Sequence, residues 1–172
     1  MGSLLHTLHL PLSGFALATL GSGLLVAQRQ LLPERGATLA TGLVAALAKS
    51  VSPAGIILGP MVGIAVEALL VELALLPAPR SRALAVVAVT LAASWALSQR
   101  LLMTVALYGE EVVSLYLAGL RDAAAFLGLP EEARWVALGA LLALVLGAGV
   151  LGGSAGHAVG RRAAARLAEA RA

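Results

Sequence analysis

The feature that most constrains this chain is its set of long apolar stretches. The stretch from Trp135 to Gly160 contains no Asp, Glu, Lys or Arg, and a helix needs about 20 apolar residues to cross the hydrocarbon core of a bilayer. Over the whole chain 60% of the residues are hydrophobic and 12% are charged, which is about half the charged fraction of a soluble domain. The sequence therefore predicts an integral membrane protein.

The apolar stretches also indicate the fold class. They are long and do not alternate with polar residues as the strands of a membrane β-barrel do, so we expect an all-α, polytopic transmembrane helical bundle with short loops. Residues 1–172 then form a single integral membrane domain. Proline, glycine and charged residues separate the stretches. The six predicted segments are 10–27, 37–51, 56–76, 83–107, 111–127 and 135–160.

Charged residues at the ends of the segments predict the orientation. The tail is basic, with Arg161, Arg162, Arg166 and Arg171. Basic loops stay in the cytoplasm, so we expect a cytoplasmic C-terminus in the cell membrane, and six crossings place the N-terminus there too. Other arginines then fall in external loops, namely Arg29, Arg35, Arg80 and Arg82. External arginines oppose the positive-inside rule, under which basic loops stay in the cytoplasm. Either one segment is therefore re-entrant or these arginines have a function.

Small residues form faces on two segments. The last segment carries Gly149, Gly152, Gly153, Gly156 and Gly160 at helical spacing, and the first carries Gly14, Ala18 and Ser22. Such faces let membrane helices approach closely. Two interpretations stay open, because these faces serve either packing within the chain or docking of a partner subunit.

Three charged residues fall within or beside the second and third segments. They are Lys49, Glu67 and Glu72, and charges at membrane depth are costly and mark pairs or functional sites. Glu67 and Glu72 point about 140° apart on a helix, so they face different surroundings. We expect either a buried Lys49–Glu67 pair or a Glu67 that binds a polar substrate.

Polar and aromatic residues concentrate between Trp95 and Asp122. This stretch includes Trp95, Arg100, Tyr108, Glu110 and Glu111. Trp and Tyr mark membrane interfaces, but aromatic walls with a few convergent polar groups also characterise small-molecule sites. Both interpretations remain open at this point.

Sequence motifs that would indicate catalysis, metal binding or ATP hydrolysis are weak or absent. Ser154 fits G-x-S-x-G, but a nucleophile elbow requires a strand-to-helix turn, and Ser154 falls inside a predicted helix. His6 and His9 lack a third metal ligand nearby, and the chain has no Walker A motif. We expect no enzyme activity, no metal, no cofactor and no ATP hydrolysis by this chain. The positive charge of the chain lies mostly at loop ends, where it determines the orientation of the helices in the membrane. No nucleic-acid partner is therefore expected.

A family resemblance rests on three regions. They are the small-residue ladder of the first segment, the residues from Arg35 through Leu58-Gly59-Pro60 to Val66-Glu67-Ala68, and the glycine-rich end Gly152–Arg162. With its size and six segments, the chain resembles the S components of energy-coupling-factor (ECF) vitamin transporters, which are their substrate-binding membrane subunits.

The resemblance implies a division of labour. An S component captures a small vitamin or vitamin precursor from outside, and works with a transmembrane coupling subunit and cytoplasmic ATPase subunits. Docking would use Gly14, Ala18 and Ser22. The substrate would contact Glu67, Trp95, Arg100 and Tyr108, and the external Arg80 and Arg82 would attract an anionic ligand.

Two other classes of protein remain open. One is a structural or assembly membrane protein that associates through its glycine faces. The other is a small membrane enzyme that acts on lipid, for which Glu67, Arg100, Glu110 and Glu111 would have to converge at one depth.

Overall fold

The computed structural model describes residues 2–50, 58–108 and 133–170, and the regular secondary structure of this described part is all α-helix, as predicted. The helices are α1 (Gly2–Leu31), α2 (Ala37–Ser50), α3 (Leu58–Leu75), α4 (Arg82–Tyr108) and α5 (Ala133–Glu169). The predicted segment 111–127 lies outside the described residues. Helix α5 runs past the predicted end at Gly160, because an alanine-rich stretch with high helix propensity follows.

Three of these helices are long and apolar enough to cross a membrane. They are Leu58–Leu75, Arg82–Gln99 and Gly139–Glu169, and Ala37–Lys49 is a shorter apolar helix. By length and composition, these helices indicate a membrane protein with transmembrane helices, in agreement with the sequence. Within the described part, three spans meet these criteria where the sequence predicted six segments.

Local sequence signals explain where the helices end. Pro33 follows α1 and Pro77 follows α3, and the residue before a proline is disfavoured in a helix. Gly36 turns the chain into α2 with φ +84°, a conformation that glycine adopts without steric cost. Ser81 caps α4, since the Leu84 N–H donates to its Oγ at 3.3 Å.

Helix α5 packs parallel to α1. A β-carbon added to Gly152 would lie 3.0 Å from Thr19 Cγ2, and one added to Gly160 would lie 2.5 Å from Ala27 O. The residue numbers of the contacting positions thus increase together along both helices. The two helices therefore run in the same direction.

Helices α4 and α5 are antiparallel. Gly149 packs on Thr90, and a β-carbon on Gly153 would lie 2.6 Å from Ala85 O. Helices α3 and α4 are also antiparallel, since Gln99 Nε2 near the end of α4 donates to Gly59 O at the start of α3. Helix α2 is antiparallel to α3, because the Thr38 N–H donates to Glu72 while Gly42 packs on Ala68. The five described helices therefore alternate in direction along the chain.

This alternation brings several helix ends together. The Gly36 N–H donates to Glu72 Oε1 at 2.7 Å, and Gln30 Nε2 donates to Pro79 O at 2.7 Å. Arg82 reaches α5 as well. We call this side of the bundle the basic end, because it carries Arg29, Arg35, Arg80, Arg82, Arg161 and Arg162.

The basic end corrects the predicted orientation. Six alternating crossings would place Arg80 and Arg82 on the side opposite Arg161, but the structure places all three on one side. The reason is that α1 and α5 are parallel, so α1 begins at the end opposite the one where α5 finishes. The prediction that both termini lie on one side is therefore wrong for the described helices.

The bundle has a small core and an apolar outer surface. Val26, Val71, Leu75 and Val89 are fully buried between α1, α3 and α4. Many large apolar side chains point outward instead, such as Leu24, which is 71% exposed. Lipid tails cover such a surface in a membrane, where helices need small or polar contacts to associate.

Candidate functional site

The glycines of α5 form two faces that both contact helices of the same chain. Gly152, Gly156 and Gly160 pack on α1, whereas Gly149 and Gly153 pack on α4. A β-carbon at Gly153 or Gly160 would lie 2.6 or 2.5 Å from backbone atoms of the neighbouring helix. These five glycines therefore serve close helix contacts within the chain, whereas a β-carbon at Gly139 or Gly147 of the same helix would meet no atom within 4 Å.

The small residues of α1 are mostly buried too. Ala18 is 5% and Ser22 is 1% exposed, and the Ser22 hydroxyl donates to Ala18 O at 2.6 Å. Only Gly14 of the predicted docking ladder is exposed. Helix α1 packs against α4 and α5, so Ala18 and Ser22 are covered within the chain, and the docking role of Gly14, Ala18 and Ser22 stays a prediction.

A buried ion pair joins α1 to α3. Arg29 Nη2 lies 3.2 Å from Glu72 Oε1, with side-chain exposures of 1% and 6%. Glu72 also accepts hydrogen bonds from the backbone N–H groups of Gly36 and Thr38 and from the Thr38 hydroxyl. Arg29 donates in addition to Glu34 O. The network stabilises the turn between α1 and α2 against the last turns of α3.

The sequence prediction missed this pair. Arg29 was expected in an external loop, but it lies in the last turn of α1 and is fully buried. One available signal was Glu72 itself, which stands near the end of an apolar helix and requires a partner at the same depth. Arg29 ends another long apolar stretch and meets that requirement.

The predicted Lys49–Glu67 pair does not form. Gly42 packs on Ala68, so Lys49 lies about two turns of α2 beyond the level of Glu67, at 3.6 residues per turn. Among the described residues, the ion pair is that between Arg29 and Glu72. Lys49 lies in the last turn of α2, half-buried.

Glu67 and Trp95 lie at the same level of the α3–α4 pair. Gln99 packs against Gly63, and one turn along each antiparallel helix brings Glu67 level with Trp95. Both residues are half-buried. Trp95 Nε1 is buried without a hydrogen-bond partner in the described part of the chain. Glu67 likewise forms no ion pair or side-chain hydrogen bond there.

The other predicted substrate residues lie further along α4. Arg100 and Tyr108 follow Gln99 toward the end opposite the basic end, and their side chains lie outside the described part, as do Glu110 and Glu111. The structure thus brings Glu67 and Trp95 to one level, near the middle of their helices. It places Arg100 and Tyr108 on the same helix as Trp95, further from the basic end.

Ser154 has a structural partner. Its Oγ accepts hydrogen bonds from Arg82 Nε and Nη2 at 3.4 and 3.3 Å, which links α5 to the start of α4. Gly152 and Gly156, on either side of it, are in helix–helix contact. Among residues 2–50, 58–108 and 133–170, no three His, Asp or Glu side chains are grouped to hold a metal ion.

Comparisons with known proteins give no relative for this chain. No family model matches it, and neither does any curated protein or solved structure. The resemblance to S components therefore depends on the sequence of this chain alone.

Proposed function

We propose that this chain is the substrate-binding membrane subunit of an ECF-type importer, which captures a small vitamin or vitamin precursor. The observation that supports the proposal is the level shared by Glu67 and Trp95. Each presents a polar group without a partner among the described residues, in the middle of helices that can span a membrane. Ionisable residues at that depth mark substrate pathways and binding sites.

The chemistry of the two groups limits the ligand. An indole N–H only donates hydrogen bonds, and an ionised carboxylate only accepts them. A solute that suits both groups carries an acceptor for Trp95 and a donor or positive charge for Glu67. Because buried polar groups usually have partners, a bound solute explains why these two groups have no protein partner among the described residues.

The basic end supports an orientation for uptake. Under the positive-inside rule it faces the cytoplasm, which gives a cytoplasmic C-terminus in the cell membrane. Arg100 and Tyr108 then lie between Glu67 and the external surface, where an incoming solute arrives. This orientation also removes the external arginines that six crossings required.

Separate subunits would supply the energy. The sequence has no Walker A motif, so uptake would depend on a transmembrane coupling subunit and cytoplasmic ATPases, as the resemblance implies. Docking of that subunit would use a surface other than Ala18 and Ser22, since both are buried within the chain. Gly14 and the exposed leucines of α1 remain available for it.

The test is to identify the bound solute. The protein is purified in mild detergent from its own host, then denatured, and the released small molecules are measured by mass spectrometry. The Glu67→Gln/Trp95→Phe variant is purified in parallel as the control. We expect one small molecule at close to one per protein in the wild type and its loss from the variant.

Two results would argue against the proposal. An empty wild-type protein that also shows no thermal shift with a panel of vitamins and precursors would remove the binding role. A molecule that the variant retains in full would show that Glu67 and Trp95 do not bind it. Co-purification with a coupling subunit would further separate an importer from a stand-alone binding protein.

A further inference from the structure

A second polar site lies at the basic end, away from Glu67 and Trp95. A cleft of about 450 Å³ opens between α1, the α3–α4 connection and α5, lined by Gln30, Arg80, Arg161 and Ala164. Arg80 also borders a neighbouring hollow of about 510 Å³. Three elements that are distant in sequence therefore present two guanidinium groups to one cleft.

The positive charge of this cleft is not neutralised by the described residues. Arg80 and Arg161 are exposed, and neither forms an ion pair in the described part of the chain. The nearby buried carboxylate of Glu72 is already paired with Arg29. Arginine presents a planar set of donors that matches phosphate oxygens, so an anionic phosphate suits the cleft.

Gln30 gives the cleft a fixed polar wall. Its side chain is buried, and Nε2 donates to Pro79 O at 2.7 Å, which positions the backbone next to Arg80. Gln30 Oε1 is buried and has no partner among the described residues. A ligand hydroxyl group beside the phosphate can donate to this oxygen, because an amide carbonyl is an acceptor.

The position of the cleft indicates where such a ligand comes from. Gly160 is the last residue of the apolar stretch of α5, and Arg161 follows it directly. The cleft therefore lies at the level where lipid headgroups lie. Basic pockets between transmembrane helices on the cytoplasmic side bind anionic headgroups.

We propose that this cleft binds the phosphate group of an anionic phospholipid whose headgroup carries hydroxyl groups. The inference rests on the basic end alone and does not depend on the proposed transport function. The two arginines contact the phosphate oxygens, and Gln30 accepts a hydrogen bond from the headgroup. The lipid thereby connects the α3–α4 connection to α5.

The test measures thermal unfolding of the purified chain in a neutral detergent. Short-chain phosphatidylglycerol is titrated in one arm, short-chain phosphatidylcholine in a second, and inorganic phosphate in a third. The variant Arg80→Gln/Arg161→Gln removes the site. The control Arg35→Gln/Arg162→Gln removes the same charge from exposed positions of the same end that do not line the cleft.

We expect phosphatidylglycerol to raise the unfolding temperature of the wild type and of the control, and phosphatidylcholine to have little effect. In the site variant the midpoint concentration should rise about 10- to 30-fold, given about 1 kcal/mol per basic residue. An equal response to inorganic phosphate would show that the cleft binds a phosphate group, but that this group belongs to a soluble molecule instead of a lipid. Equal responses to the two lipids, or a site variant that matches the control, would overturn the proposal.

Discussion

Arg29 Nη2 lies 3.2 Å from Glu72 Oε1, with 1% and 6% of the two side chains exposed. The pair joins the last turn of α1 to the end of α3, and hydrogen bonds from Gly36 and Thr38 to Glu72 add the start of α2. A buried ion pair contributes little net stability compared with apolar side chains, but the loss of one partner is costly. The three helix ends therefore depend on both charges being present.

The first prediction concerns the loss of one charge from this pair. Glu72→Gln keeps the shape of the side chain but leaves the Arg29 guanidinium buried without a counter-charge. We expect the free energy of unfolding to fall by about 3–5 kcal/mol. Thermal and denaturant unfolding in detergent, followed by circular dichroism, measures this change.

The matched control is Glu67→Gln on the same helix. Glu67 has no charged partner in the described part of the chain, so this variant should change stability by less than about 1 kcal/mol, as is usual away from such networks. The double variant Arg29→Gln/Glu72→Gln should recover part of the loss, since it removes both charges. Equal losses for Glu67→Gln and Glu72→Gln would contradict the special role of the pair.

This pair also shows what the sequence could and could not predict. Apolar stretches such as Trp135–Gly160 predict helices and a membrane because hydrophobicity and helix length are local properties. The partner of Glu72 depends on which helix ends meet, and this is set by the relative direction of α1 and α5. Composition carries no information on that direction, so the sequence placed Arg29 opposite Arg161, whereas the structure places both at one end of the bundle.

The same limit applies to the small residues. The spacing of Ala18 and Ser22 correctly indicates a face suited to close helix contact, but a single helix does not reveal its neighbour. In the structure these residues are buried within the bundle, and their docking role stays a prediction. The sequence could identify Glu67 and Trp95 as candidate site residues. That they lie at the same depth in the bundle follows only from the register between α3 and α4.

The second prediction concerns the close approach of α4 and α5. In Gly153→Ala the new methyl group would lie 2.6 Å from both Ala85 O and Val86 Cα. Because these are backbone atoms, the helices must move apart, and we expect a loss of about 1–3 kcal/mol. Thermal unfolding in detergent measures it.

Gly147→Ala is the control for this prediction. A β-carbon at Gly147 meets no atom within 4 Å, so the exchange should leave stability unchanged or raise it by up to about 1 kcal/mol through helix propensity. If Gly153→Ala proves as stable as Gly147→Ala, the contact between α4 and α5 is looser than the structure shows.

The third prediction separates binding from stability at Trp95. Trp95→Phe removes an indole N–H that has no hydrogen-bond partner among the described residues, so no internal hydrogen bond is lost. We expect stability to change by less than about 1 kcal/mol, because only an unsatisfied buried donor and part of a ring are removed. Binding of the solute should weaken about fivefold or more, as expected for one lost hydrogen bond of about 1 kcal/mol or more.

The measurement for Trp95→Phe combines thermal unfolding with a ligand titration of the solute identified by mass spectrometry. Ser98→Ala, an exposed position one turn further along α4, serves as the control and should bind like the wild type. A Trp95→Phe protein that is strongly destabilised would instead assign the indole a packing role. Unchanged affinity would remove Trp95 from the site.

The last prediction tests the direction of the helices. The chain contains no cysteine, so one cysteine can be introduced at a time at the exposed residues Glu34, Arg80 and Ala165. With the basic end in the cytoplasm, a membrane-impermeant maleimide should leave all three variants unlabelled in intact cells and label all three after permeabilisation. Six alternating crossings instead predict that positions 34 and 80 are labelled in intact cells while position 165 is protected. That pattern would contradict the parallel arrangement of α1 and α5, because parallel helices in an alternating bundle finish on the same side of the membrane.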